Sequence, residues 1–97
     1  MYILSSRENP KFLKIGYTER RVEDRVKEIN SGTGVMTPFG VRAVWSVEKA
    51  SEMEMLIHKE LDKFRIRQDR EFFNIDYFDA VAIINKLIAE KYIKEIE

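Results

Sequence analysis

The stretch FLKIGYTERRVEDR, residues 12–25, decides how this chain is read. It begins as an apolar β-type run, turns at Gly16 and enters a segment whose apolar residues recur at helical spacing. Lys14, Tyr17 and Arg25 stand around that single strand-to-helix turn. A small core does not need such a cluster for packing, so the turn is a candidate for half of a functional site.

Upstream, Tyr2–Ser5 is a second short β-type run, and the polar turn between the two contains Asn9-Pro10, which predicts a hairpin. Downstream, a helix is expected from about Arg20. Val22, Val26 and Ile29 supply its i, i+4, i+7 stripe, and Gly32 lies where a C-terminal cap belongs. The loop SGTGVMTPFG leads to a third strand, Val41–Val47, with Val41, Ala43, Trp45 and Val47 alternating against Arg42, Val44 and Ser46. Ser51 opens a second helix with the stripe Ala50, Met53, Ile57, Leu61 and Phe64. A basic loop, FRIRQDR, precedes the brief apolar run Phe72–Ile75, and Asp76 is placed to cap a last helix reaching about Ile96. The order β-β-α-β-α-(β)-α implies an α+β fold, a small antiparallel sheet with helices packed on it.

The bulk numbers fit one domain over residues 1–97 and leave no room for a second core. The chain is 44% hydrophobic and 35% charged, with no cysteine, which excludes disulfides and thiolate metal sites. The longest apolar run, Ala80–Ile84, is too short to span a membrane. The N-terminal residues lack the pattern of a signal peptide, so a cytoplasmic protein is expected. Formal charge is zero overall but unevenly spread: +2 over residues 1–31, +1 over 32–70 and −3 over 71–97. That is no strongly basic nucleic-acid footprint, and it does not forbid one.

Helical angles sort the polar residues. Arg25 lies about 60–70° from the centre of the Val22/Val26/Ile29 arc. It is either a snorkelling arginine that covers the core edge or a residue turned toward a site. Glu54 lies about 60° from the centre of the second helix's stripe, with His58 one turn on along the same flank. Three readings stay open for Glu54. It closes a capping box with Ser51, it forms a surface pair with His58, or it holds a hard cation such as Mg²⁺, which often takes only one or two carboxylates. Lys63, Arg65, Arg67 and Arg70 make either a solvated loop or a set of phosphate contacts. Phe72, Phe73, Tyr77 and Phe78 read as core. No glycine-rich phosphate cradle is present.

With these residues placed, the chain resembles the GIY-YIG nuclease superfamily. It is most similar to the short phage and bacterial branch whose second motif reads KIG. The likeness is carried by MYIL in the first strand, KIGYT at the end of the second, Arg25 in the next helix, the TGVMTPF loop, Glu54-x-x-x-His58, and Arg70-Glu71-Phe72-Phe73. It implies a three-stranded antiparallel sheet flanked by helices and metal-dependent cleavage of DNA phosphodiesters. Residue by residue, it implies that Tyr2 and Gly16 match motif residues, that Lys14 stands where most members carry tyrosine, and that Arg25 and Glu54 match the helix arginine and the metal-binding glutamate. For the late asparagine of many members, Asn74 and Glu71 are both candidates.

The roles that follow from the resemblance are Tyr2 as general base with Lys14 as a cation beside it, and Arg25 as a planar clamp on the scissile phosphate. Glu54 holds Mg²⁺ or Mn²⁺ against the leaving oxygen. Tyr17, His58 and Glu71 support them. Arg20, Arg21, Lys63, Arg65, Arg67 and Arg70 are the expected DNA-backbone contacts. The rival expectation is a module of the same fold that binds DNA or a protein without catalysis. A homodimer through the last helix, where Ile93 and Ile96 would be partly exposed in a monomer, is compatible with either.

Overall fold

A computed structural model describes residues 1–31, 38–66 and 71–96 of the chain. Strands β1 (Tyr2–Ser6) and β2 (Phe12–Gly16) form the expected hairpin. They are followed by α1 (Val22–Asn30), β3 (Phe39–Val44), α2 (Ala50–Glu60), one turn of 3₁₀ helix (Asp62–Phe64), β4 (Phe72–Asn74) and α3 (Tyr77–Ile96). The class is α+β as expected, but the sheet has four antiparallel strands in the order β3-β1-β2-β4, not three. The added strand is the run FFN, which pairs with β2 so that Leu13 faces Phe73.

The pleat divides the sheet into two faces. Ile3, Leu13, Ile15 and Phe73 point to one side, where Met53 and Ile57 of α2, Leu61 just beyond it, and Ala80 and Ile84 of α3 close over them to form the buried core. Each large aliphatic side chain buried there contributes about 1.5–3 kcal/mol relative to exposure. Register places Tyr2 opposite Gly16 and Leu4 opposite Lys14, so these four share the other face. Helix α1 lies along β3. The Asn30 side-chain amide brackets Phe39, donating to its carbonyl at 3.1 Å and accepting from its N–H at 2.7 Å, which fixes the end of α1 to the start of β3.

Several expectations are corrected. Helix α1 begins at Val22, because Arg21 is extended (φ −61°, ψ 136°). The third strand runs from Phe39 to Val44, not 41–47, and its alternation breaks. Ile3 pairs with Ala43 while Leu4 pairs with Val41, so Arg42 is the extra residue of a bulge. The bulge turns Val41 outward and leaves it 46% exposed, whereas Ala43, Trp45 and Val47 pack on the core. Ser51 does not cap α2. The capping position is Lys49, in the left-handed region at φ 52°, with no side-chain cap bond, so the capping-box reading of Ser51 and Glu54 fails. Asp76 does cap α3, its Oδ2 accepting from the N–H groups of Phe78 at 3.0 Å and Asp79 at 3.2 Å. Phe78, expected in the core, is 76% exposed. Ile93 is half exposed, as expected, and the Ile96 side chain lies outside the described structure, as do Gly32 and most of the TGVMTPF loop. No helix among the described residues is long and apolar enough to cross a membrane.

Candidate active site

The KIG motif has a steric reason. Tyr2 is fully buried, and its ring lies across Gly16 on the neighbouring strand. A Cβ at position 16 would stand 2.8 Å from the Tyr2 hydroxyl and 3.1 Å from the ring carbon that bears it. Glycine is therefore required by close approach.

The Tyr2 hydroxyl meets α1 at Arg25. The guanidinium is held in its charged form first by its side-chain hydrogen bond to Tyr2, and further by Glu28 and by the field of Glu71. Arg25 Nη1 donates to Glu28 Oε2 at 3.3 Å, and the other oxygen of that carboxylate accepts from Arg20 Nη2 at 2.5 Å. The snorkelling reading of Arg25 thus gives way to a residue turned toward Tyr2.

Lys14 is buried for a lysine, 9% exposed, and is stabilised from two sides. Its Nζ pairs with Glu71 Oε2 and lies 4.9 Å from the centre of the Phe72 ring. Glu71 also stands within electrostatic reach of Arg25 and of Glu54. One carboxylate thus links Lys14, Arg25 and Glu54 in a single neighbourhood with Tyr2.

Glu54 and His58 reach this neighbourhood around the end of β4. There the Ile15 N–H donates to Glu71 O at 3.0 Å, just before β4 begins. His58 Nε2 takes the Ile15 carbonyl at 2.8 Å, with its ring 5.1 Å from that of Phe73. The Glu54 carboxylate lies in reach of the Tyr17 N–H, which favours its charged form. His58 is therefore tied to the sheet and Glu54 is half-buried beside it, so they are not a mere surface pair. Burial pushes the Glu54 carboxyl up from the usual carboxylate range, His58 opposes this, and the charge of Glu71 adds to the rise.

The profile of the T5orf172 domain matches residues 1–88. The chain belongs to the T5orf172 domain family. A viral protein described as KilA-N domain-containing, 315L of Invertebrate iridescent virus 6, is 32% identical over 83 residues, which is 84% of this chain. The chain spans 31% of that relative's length. No solved structure matches it.

In this T5orf172 domain the expected DNA contacts are not equivalent. Arg65 is turned inward. Its Nε donates to Asp62 Oδ1 at 3.0 Å, its Nη2 to the His58 carbonyl at 3.2 Å, and its guanidinium lies 5.1 Å from the Phe73 ring centre. It holds the 3₁₀ turn against α2 and β4, which corrects its placement on an open basic loop. Lys63 is exposed, and Arg67 and Arg70 lie outside the described residues. Arg20 and Arg21 are exposed and line a groove of about 540 Å³ together with Lys49, Trp45 and Ser51. Lys49 carried no signal in the sequence, since its position depends on the turn between β3 and α2. Among the described residues, no three histidine or acidic side chains gather as a metal-binding group.

Proposed function

We propose that this T5orf172 domain is a metal-dependent endonuclease that hydrolyses DNA phosphodiester bonds at the site around Tyr2, in the manner of the GIY-YIG nucleases it resembles. The observation that carries the reading is the meeting of the buried Tyr2 hydroxyl with Arg25, with Glu71 in electrostatic reach of both Arg25 and the half-buried Glu54, whose proton affinity is raised. A pure binding surface has no need to bury a carboxylate next to a second one. Glu54 and Glu71 are hard oxygen donors within electrostatic reach of each other, which fits Mg²⁺ or Mn²⁺. Glu54 would hold the ion, with Glu71 a second carboxylate in its field. The bound ion supplies positive charge that offsets the leaving oxygen.

The chain's own groups account for the remaining steps. A water attacks phosphorus in line while its proton passes to the Tyr2 oxygen, either as phenolate or with the Tyr2 hydroxyl proton relayed on to solvent. The bridging P–O bond breaks with its electron pair on the leaving oxygen, which then takes up a proton. Arg25, already donating to Tyr2, presents its remaining N–H groups to the non-bridging oxygens as negative charge grows there. Lys14, fixed by Glu71, adds a second positive charge on the same face of the sheet. The test is incubation of the purified protein with supercoiled plasmid and Mg²⁺ or Mn²⁺, beside Glu54→Gln. Nicked or linear product from the wild type and none from the folded variant is expected. Full cleavage by Glu54→Gln would remove its metal role.

One observation favours the rival, a DNA-binding module without catalysis. Lys14 and Glu71 already neutralise each other without a ligand, as a binding surface that needs no metal would allow. Wild-type protein that binds DNA yet leaves it intact with either metal decides for that reading.

A further inference from the structure

Glu28 is an odd residue to find beside a site for DNA. Its two carboxylate oxygens accept from two different arginines: Oε1 from Arg20 Nη2 at 2.5 Å and Oε2 from Arg25 Nη1 at 3.3 Å. Ordinary helix pairing explains only half of this. Arg25 and Glu28 are three residues apart on α1, but Arg20 precedes the helix and lies eight residues from Glu28. The two guanidiniums therefore converge on one anionic group. That group is a carboxylate, and the arginine fork matches carboxylate and phosphate alike. Arg25 ties the spot to the Tyr2 hydroxyl, and Arg20 opens onto the groove that also carries Arg21 and Lys49.

We propose that Arg20 and Arg25 form a two-guanidinium clamp for one phosphate of the DNA backbone, and that the Glu28 carboxylate fills this clamp until DNA displaces it. The proposal rests on reading the site as one that acts on DNA, and it adds a phosphate subsite and an internal competitor to that reading. The exchange is physically easy. All three side chains are reached by solvent, with exposures of 61%, 35% and 44% for Arg20, Arg25 and Glu28. Exposed ion pairs of this kind are weak, so a phosphate that brings the same geometry and stays tethered to a polyanion can replace the carboxylate. The Glu28 carboxyl is held below the usual range first by the hydrogen bond from Arg20, so it remains a charged competitor at neutral pH.

The test separates binding from cleavage. Binding of a fluorescent DNA duplex is measured by anisotropy in EDTA for wild type, Glu28→Gln, Arg20→Ala, the double variant, and Glu90→Gln, which makes the same charge change on α3. Glu28→Gln should bind about two- to fivefold tighter, the size of an exposed pair removed from competition. Glu90→Gln should match wild type. Arg20→Ala should bind more weakly and lower the salt slope by about one, and in its background the Glu28→Gln gain should shrink. Unchanged affinity in Glu28→Gln, or an equal gain in Glu90→Gln, overturns the clamp even if the wild type cleaves plasmid in Mg²⁺. This binding pattern in a protein that never cleaves would leave the clamp standing and remove the nuclease. No binding of DNA by the wild type overturns both.

Discussion

Glu54 carries a cost that its role would explain. Burial raises its proton affinity in the folded state, and the nearby negative charge of Glu71 adds to this against the pull of His58 and the Tyr17 N–H. A carboxyl whose folded pKa lies above its unfolded pKa binds more proton in the native state between the two values. Stability therefore falls as pH rises through that window, and the loss is complete above the folded pKa. Glu54→Gln keeps an oxygen for the Tyr17 N–H and removes the charge. In EDTA at neutral pH it should melt above the wild type, and the difference should vanish on acidification below the ordinary carboxylate range. A divalent cation should raise the melting temperature of the wild type and not that of the variant, because it binds only the native carboxylate. Equal melting of the two proteins at both pH values would show that the Glu54 charge is fully compensated within the fold.

At the scale of elements, patterns that act over a few residues were legible and those set by distant pairing were not. The hairpin, the Met53/Ile57/Leu61 stripe and the Asp76 cap follow from neighbours within one or two turns, and the structure has them. The bulge at Arg42 was hidden because it is a property of how β3 meets β1, and no local rule places an extra residue there. The Ser51-x-x-Glu54 pattern misled for the same reason. It is a valid local signal, but α2 starts from Lys49, and the Glu54/His58 flank is turned to the sheet, where His58 bonds the Ile15 carbonyl. Of the site, the grouping of Tyr2 with Arg25, and of Lys14 with the Glu71 whose field also reaches Glu54, was legible only through the family resemblance. The linking position of Glu71 needed the register of β4. Arg65 shows the consequence for experiment. In a solvated loop, Arg65→Ala would weaken DNA binding and leave the fold alone. In the observed geometry it removes an ion pair, a bond to the His58 carbonyl and the contact with Phe73. Chemical denaturation should show a loss on the order of 1–2 kcal/mol, and the salt dependence of DNA binding by the folded fraction should not change. A stable Arg65→Ala with a reduced salt slope would return Arg65 to the DNA surface.

Over the whole molecule, 17 basic side chains balance 17 acidic ones, and around the candidate site the balance is also local. Among the described residues, Lys14, Arg20, Arg21, Arg25, Arg65, Lys86 and Lys91 each face an acidic partner within 4.0 Å. A polyanion approaching Arg20 and Arg25 must displace the Glu28 carboxylate to gain contacts there. Binding should accordingly be weak and only moderately salt-dependent. Each phosphate neutralised adds about 0.9 to the slope of log K against log salt. If Arg20, Arg25 and one further cation of the groove make the contacts, the slope should lie between about −2 and −3. The measurement is the affinity for one duplex, in EDTA, over a series of salt concentrations. A slope steeper than about −5 would mean that many more phosphates are held than these residues can reach. It would move the main DNA path to the loop that carries Arg67 and Arg70.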